Sequence, residues 1–412
     1  MKSIHTSFAP NVMRRDVQIA LRELICDWRR SDKTSLEELE RMVKQHFHVP
    51  HAFAVNSGRE GLYFILKALN FQKDDEVILQ PFTCMVVVNA LLWNGVKPVY
   101  ADIDPPTYNI DPAEIEKKIN PRTRAILVQH TFGIPADMDK ISHIAKKHNL
   151  ILIEDSAHAM GATYKGKPLG TIGEVGFYSF GRSKVLSCVS GGMILTHHEK
   201  LANVINKIVQ ELSEPSLGEV KRNLLHIIFS PFIKRFYSCF GLGKLLLVLL
   251  QKCHLLTMEV LPEEKRAVRP EGFGRRMSHS LAQVARSQFT HLDGMNERRR
   301  SIAFTYYHAL KSDARFQLID PAKFPGAIFL RYPIMCRDES DRERIFKKAR
   351  QTGVILGDWY VVPIAPLGSD TVKAMYTGCP KAEKLCAHVL NLPTHVSLTE
   401  GDIARVLALF HA

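Results

Sequence analysis

The chain has 412 residues, 46% of them hydrophobic, and a formal charge of +13, which suits a globular protein of two domains or one large domain with an appendage. Its eight cysteines, at positions 26, 84, 188, 239, 253, 336, 379 and 386, form no C-x-x-C pair and no regular spacing; neither a zinc site nor a disulfide framework is indicated, and a reducing cytosol fits best. The start, Met1-Lys2-Ser3-Ile4-His5, lacks the apolar core of a secretory signal, and no stretch reaches the roughly 18 to 20 apolar residues of a spanning helix.

From Phe53 onward, short apolar runs alternate with helical patterns. The runs are Ala52–Val55, Glu76–Leu79, Pro98–Ala101, Ala125–Val128 and Leu150–Glu154, with helices after Ser57 and around Val86–Trp93. This is the rhythm of a mostly parallel sheet covered by helices. Gln80-Pro81-Phe82-Thr83, His130 and Asp155 all follow apolar runs, and open α/β sheets bind ligands at the carboxyl ends of their strands. Beyond Leu195 the pattern changes. Asn223–Tyr237 and Leu245–Leu250 are apolar stretches punctuated by basic residues and broken at Gly241-Leu242-Gly243. Residues 221–300 hold 15 Lys or Arg against 6 Asp or Glu, so about +9 of the charge sits there. No zinc-finger, RNP or helix-turn-helix pattern accompanies it, so no nucleic-acid partner is expected; an anionic membrane surface or a phosphorylated substrate explains a local basic cluster more simply. From Leu281 a helix bearing Arg298-Arg299-Arg300 leads to a smaller α+β region, with strand-like Ala327–Leu330 and a final helix over Glu400–Phe410.

Two residues carry the chemistry. Lys184 closes the run Gly176-Phe177-Tyr178-Ser179-Phe180-Gly181-Arg182-Ser183-Lys184, and Asp155 ends the strand Ile151-Leu152-Ile153-Glu154-Asp155. A lysine to hold pyridoxal phosphate covalently and a carboxylate to keep its pyridine nitrogen protonated are what that cofactor needs to act as an electron sink. Either residue alone would read as a surface lysine or a strand-end cap.

The surrounding motifs reverse that. Pro135-Ala136-Asp137-Met138-Asp139, Glu154-Asp155-Ser156-Ala157-His158, Gly161-Ala162-Thr163-Tyr164-Lys165-Gly166 and Ser179-Phe180-x-x-x-Lys184 resemble, in that order, the DegT/DnrJ/StrS family of sugar aminotransferases. The resemblance is strong from about Asn56 to Thr196 and looser from Arg275 to Phe410. It implies an α/β, fold-type-I pyridoxal-phosphate transferase, aspartate aminotransferase-like, with a large mostly parallel-sheet domain and a smaller C-terminal α+β domain. The expected division is 1–212 for the cofactor-binding domain with an N-terminal helical arm, 213–270 for an inserted apolar and basic segment, and 271–412 for a dimer loop and the small domain.

The resemblance makes Lys184 the covalent anchor and proton shuttle and Asp155 the pyridinium partner. Family members with histidine in place of the lysine perform dehydration, so Lys184 favours transamination. Gly58, in Asn56-Ser57-Gly58-Arg59-Glu60 between a strand and a helix, lets the backbone approach the cofactor phosphate; Ser179 matches the family serine that contacts the same group. Where the family more often has threonine this chain has Arg59, able to bind phosphate or to stand as a solvated helix-start residue. The family's stacking aromatic is here Cys84, so stacking is lost or supplied by another side chain. The family glutamine beside the cofactor's phenolic oxygen is here His158, a donor titrating near neutrality or a satisfied structural histidine. Gly274, in Gly272-Phe273-Gly274-Arg275-Arg276, stands where the family has an asparagine that enters the neighbouring subunit's site, which implies a homodimer with shared active sites.

The activity implied is transfer of an amino group, from L-glutamate, to a nucleotide-linked or lipid-linked keto sugar. The alternatives are a pyridoxal-phosphate sugar dehydratase and a non-catalytic regulator or membrane scaffold. For residues 214–271, three readings stand: a patch lying on an anionic membrane, an extended dimer interface, and a lid over a large substrate. The location expected is the cytoplasm, with peripheral attachment to the inner face of the membrane in the first of these.

Overall fold

The computed structural model describes residues 3–9, 11–25, 34–237, 241–253, 255–366 and 370–411. Cys26, Cys239 and positions 238–240 and 254 of the apolar and basic segment lie outside the described residues.

Seven strands form the central sheet: β1 (His51–Val55), β2 (Glu76–Leu79), β3 (Lys97–Tyr100), β4 (Thr123–Gln129), β5 (Ile151–Asp155), β6 (Val175–Ser179) and β7 (Gly192–Thr196). They lie in the order β1-β7-β6-β5-β4-β2-β3. Only β7 runs antiparallel to its neighbours. Because side chains alternate across a strand, each strand feeds two cores. Val77, Leu79, Leu127 and Ile153 join one apolar cluster; Ile78, Ile126, Val128 and Leu152 join the other, on the opposite face. Burial on both faces is why these runs are almost uninterruptedly apolar. The register aligns Asp155 with Gln129 on one side and Phe177 on the other, so the carboxyl ends of β4, β5 and β6 meet at one edge of the sheet.

Helices connect the strands. Helix Gly58–Leu69 follows β1 directly, with Ser57 as N-cap accepting the Glu60 N–H, and it packs under β6 and β7. A second, antiparallel sheet is built from β8 (Phe316–Leu318), β9 (Arg331–Cys336) and β10 (Val389–Pro393), with β9 central. Two expectations shift. The basic helix expected from Leu281 is two helices, His279–Phe289 and Leu292–Leu310, parted at Thr290-His291. Ala327–Leu330 pairs with no strand: the Ile328 and Leu330 N–H groups donate to Gly133 and Phe132 carbonyls of a turn, and regular pairing begins at Arg331. The apolar and basic segment forms helices Leu217–Phe236 and Leu242–Lys252. No helix among the described residues is long and apolar enough to cross a membrane.

Candidate active site

A cleft of about 1300 Å³ opens over the carboxyl ends of β4, β5 and β6. Gly58, Arg59, Cys84, Asp155, His158, Ser179 and Lys184 all line it, so one cavity gathers the candidate cofactor residues. His130 does not share it. Its Nδ1 accepts the Ala136 N–H (3.2 Å), which leaves Nε2 to donate to Glu154 (3.0 Å), and both side chains are fully buried. Glu154 in turn receives the N–H groups of Gly170, Ile172 and Gly173. That pair shapes the turn before β6.

Lys184 lies on an irregular loop five residues beyond β6. Three distant groups hold this loop: Asn11 donates to the Lys184 carbonyl (2.6 Å), Arg299 to Val185 O (2.8 Å), and Gln288 both accepts from Ser187 N and donates to Ser187 O (2.8 Å each). Burial lowers the Lys184 ammonium below its ordinary 10.5, against the pull of Glu259, Cys84 and Asp155. The amine is therefore more available as a nucleophile and base than a surface lysine. Asp155 is buried, its Oδ1 accepting the Ala157 N–H at 3.0 Å. Burial raises its carboxyl above the usual range, and the Ala157 N–H and the Lys184 charge only partly offset that.

This donor set fits pyridoxal phosphate. A buried carboxyl with no ion-pair partner among the described residues suits a protonated ring nitrogen, which would restore its ionised form. At Gly58 a Cβ would lie 2.8 Å from the Ser179 Cβ, so only glycine lets the helix start close onto that serine. Gly58, at a helix N-terminus, and the Ser179 hydroxyl beside it would hold the phosphate.

Arg59 is engaged elsewhere. Its guanidinium pairs with buried Glu264 and donates to the Glu259 carbonyl (2.6 Å); burial opposes its charge, but Glu264 outweighs it. Cys84 is a neutral thiol, pushed above 9.0 by burial, and its main chain bridges to Ala365. His158 departs from the expectation of titration near neutrality. Burial first, then the charges of Lys184 and Arg331, hold it well below 6.5, and with Nδ1 accepting the Phe132 N–H (3.4 Å) the proton sits on Nε2, where it can be donated.

Trp359 and Glu259 escaped the sequence reading. The Trp359 indole stacks on His158 (centroids 4.7 Å apart, 13° between planes) and lies 4.6 Å from the Lys184 Nζ. The Arg331 guanidinium covers its other surroundings at 3.3 Å, with burial lowering Arg331 to about 10. An aromatic pair, Trp359-Tyr360, between Gly357 and Pro363 was the available signal. Glu259 faces the cleft too: it accepts from the Ser183 hydroxyl (2.9 Å) and lies 4.0 Å from Arg182. Burial would raise its carboxyl, but Arg182, Lys184 and Arg331 bring it below 4.5. Gly272, Phe273 and Arg275 line the rim of this chain's own cleft, where the Gly274 N–H donates to Glu60 (2.8 Å).

A seven-stranded α/β sheet with a lysine and a buried aspartate facing one cleft at its strand ends defines a class, the fold-type-I enzymes of pyridoxal phosphate. Comparison with known proteins narrows it. The model of the DegT/DnrJ/EryC1/StrS aminotransferase family matches residues 14–236 and 246–411. GDP-perosamine synthase of Caulobacter vibrioides is 28% identical over 97% of this chain and 95% of its own. Among solved structures, PseC of Helicobacter pylori, an aminotransferase of pseudoaminic acid biosynthesis, superposes with a TM-score of 0.78 at 21% identity, covering 99% of this chain and 98% of its own. NtdA of Bacillus subtilis, solved with its cofactor as PMP, gives 0.75 at 24% identity, covering 97% and 82%. The chain belongs to the DegT/DnrJ/EryC1/StrS aminotransferase family, and its cofactor is pyridoxal phosphate.

Proposed function

We propose that this aminotransferase moves an amino group from L-glutamate to a keto sugar carried on a nucleotide, for a surface polysaccharide, glycolipid or modified metabolite. The observation that carries the reading is the convergence of Lys184, Asp155, Gly58 and Ser179 on one cleft, in a chain whose relatives include GDP-perosamine synthase. Two further side chains suit a large anionic substrate: Arg182 and Arg222 also line the cleft, offering positive charge beyond the cofactor residues.

When bound, pyridoxal phosphate supplies the electron sink that lets an amino group leave one carbon and join another. Lys184 would hold it through Nζ, and the free amine at that atom would accept and return a proton. Burial lowers the Lys184 ammonium below 10.5, which makes the amine more available for that exchange. Asp155 would keep the ring nitrogen protonated, and His158, with its proton on Nε2, would offer a donor beside the ring. Trp359 covers the site and keeps water from it. The cycle is ping-pong, with glutamate and keto sugar using the same cleft in turn. The protein works in the cytoplasm as a homodimer with shared sites, the Gly272–Ser278 stretch being the one that would enter the neighbouring subunit's site.

Visible absorption tests this reading. Added pyridoxal phosphate gives a yellow protein-bound band that L-glutamate bleaches, and Lys184→Ala abolishes the band. A band without glutamate bleaching refutes the donor; no lysine-dependent band refutes the catalytic reading altogether.

A further inference from the structure

Helix Leu242–Lys252 buries almost nothing of itself: Gly243 is its only fully buried residue. At that glycine a Cβ would lie 2.4 Å from the Ile233 carbonyl oxygen and 2.5 Å from Tyr237 N, so the helix crosses helix Leu217–Phe236 in backbone contact. The crossing fixes which side faces outward. Leu242, Leu245, Val248 and Leu249, spaced at three and four residues, form that outer side, and Leu245 and Leu249 are 56% and 49% exposed. Phe232 (53%), Leu255 and Met258, before and after it in the chain, are exposed as well. An exposed apolar helix side of this kind on a folded chain marks an interaction surface. The family match omits residues 237–245, which include Leu242 and Leu245, and resumes at 246, before Val248 and Leu249.

Charge selects the occupant. Lys244 and Lys252 flank the leucines on the helix itself, and from Val220 to Met258 the sequence has no Asp or Glu. A two-fold contact between copies would set this patch against itself, placing cations against cations around the leucines. An anionic bilayer offers the complement to both features, acyl chains for the leucines and lipid phosphates for the cations. At about 1.5 Å per residue the helix is too short to span, so it would lie in the plane of the interface. We propose that the Leu242–Lys252 face docks the protein on an anionic membrane surface. Just past this helix, Leu256, Thr257 and Met258 line the catalytic cleft, so docking sets the cleft mouth beside the lipid headgroups.

Flotation of the full-length, cofactor-loaded protein tests this independently of any substrate. The protein is expected to float with vesicles of phosphatidylcholine containing phosphatidylglycerol, poorly with phosphatidylcholine alone, and less in high salt. Leu245→Glu with Leu249→Glu, both on exposed positions, is expected to weaken flotation by about tenfold or more, with thermal unfolding unchanged. Lys244→Gln with Lys252→Gln retains the apolar face and is expected to lose only the preference for anionic vesicles. Absence of flotation, or flotation equal in the wild type and the leucine variant, overturns the proposal. So does a fall in sedimentation mass in the leucine variant without any vesicle binding by the wild type, which would assign the face to a second copy.

Discussion

Glu264→Gln separates the two roles open to Arg59. The Glu264 side chain is 1% exposed and that of Arg59 22%, so the pair is largely withdrawn from solvent. Leu261 N and Asn89 Nδ2 further tie the segment, one to the Glu264 carboxylate and one to its carbonyl, each at 2.8 Å. Removing one partner of a buried ion pair costs about 3 to 5 kcal/mol, and the residual exposure of Arg59 places this one near the lower figure. Glutamine keeps the shape and an acceptor oxygen, so the loss is that of the charge. With an unfolding entropy of about 2 cal/mol/K per residue, a loss of about 3 kcal/mol lowers Tm by about 3 to 4 °C in a chain of this length. The same change releases a guanidinium beside the helix start that holds the cofactor phosphate, so pyridoxal phosphate is expected to bind about threefold to tenfold more tightly. Stability and cofactor affinity thus move in opposite directions. The assay is a double-mutant cycle with Arg59→Leu, read by thermal unfolding and by cofactor titration. A coupling energy of about 2 kcal/mol or more is expected, and additivity within about 0.5 kcal/mol would refute the reasoning, leaving Arg59 as a solvated helix-start residue.

Trp359→Ala uncovers Lys184 and removes the ring from between His158 and Arg331; relief of desolvation is expected to move the pH titration of the lysine-bound absorption band upward, which a spectrophotometric titration checks. Gly58→Ala brings a Cβ to 2.8 Å from that of Ser179; overpacking of about 1 to 3 kcal/mol is expected to weaken cofactor binding by about tenfold, measured by equilibrium dialysis. His226 is buried with neither ring nitrogen bonded, and burial, then the charge of Arg182, holds it well below its ordinary 6.5. The unfolded chain takes up a proton there that the folded chain refuses, so stability is full above pH 6.5 and lost as pH falls below it. His226→Leu is expected to flatten the acid limb of stability by about 1.4 kcal/mol per pH unit, read by urea unfolding at several pH values.

The parts of the site that were legible in the sequence are those that one strand and its following turn carry by themselves. Asp155 ends β5, Ser179 ends β6, and Gly58 opens the helix after β1, so each can be placed from a local apolar run and its terminator. The second layer is assembled across the chain. Asn11, Gln288 and Arg299 position the lysine loop from 100 residues away or more, and no local pattern distinguishes them from other polar residues on helices. Arg299 illustrates the difficulty. Within Arg298-Arg299-Arg300 it reads as one charge of a solvated run, yet it is fully buried, and burial brings it down to about 9. His158 is similar: its residue type predicts titration near neutrality, and only the packing of Trp359 against it reveals a dry environment that keeps it uncharged.

Cys84 and Trp359 are best understood together. A small side chain at position 84 leaves room for the 359–366 loop to approach the first strands, and it does so through main-chain bonds: Ile364 N to Pro81 O (2.8 Å), Ala365 N to Thr83 O and Met85 N to Ala365 O (2.9 Å each). An aromatic ring at Cys84 would meet Tyr360, which packs edge-to-face on Phe82 at 5.1 Å, while burial, with Cys84 and Asp155 close by, raises its phenol well above 10. Trp359 and Tyr360, the aromatic groups near Lys184 and His158, come from a loop between β9 and β10. The cleft they line is therefore complete only when the C-terminal sheet and its loop have docked. Cofactor binding and docking of the C-terminal region then stabilise one another, since a ligand that binds the docked form alone draws the equilibrium toward it.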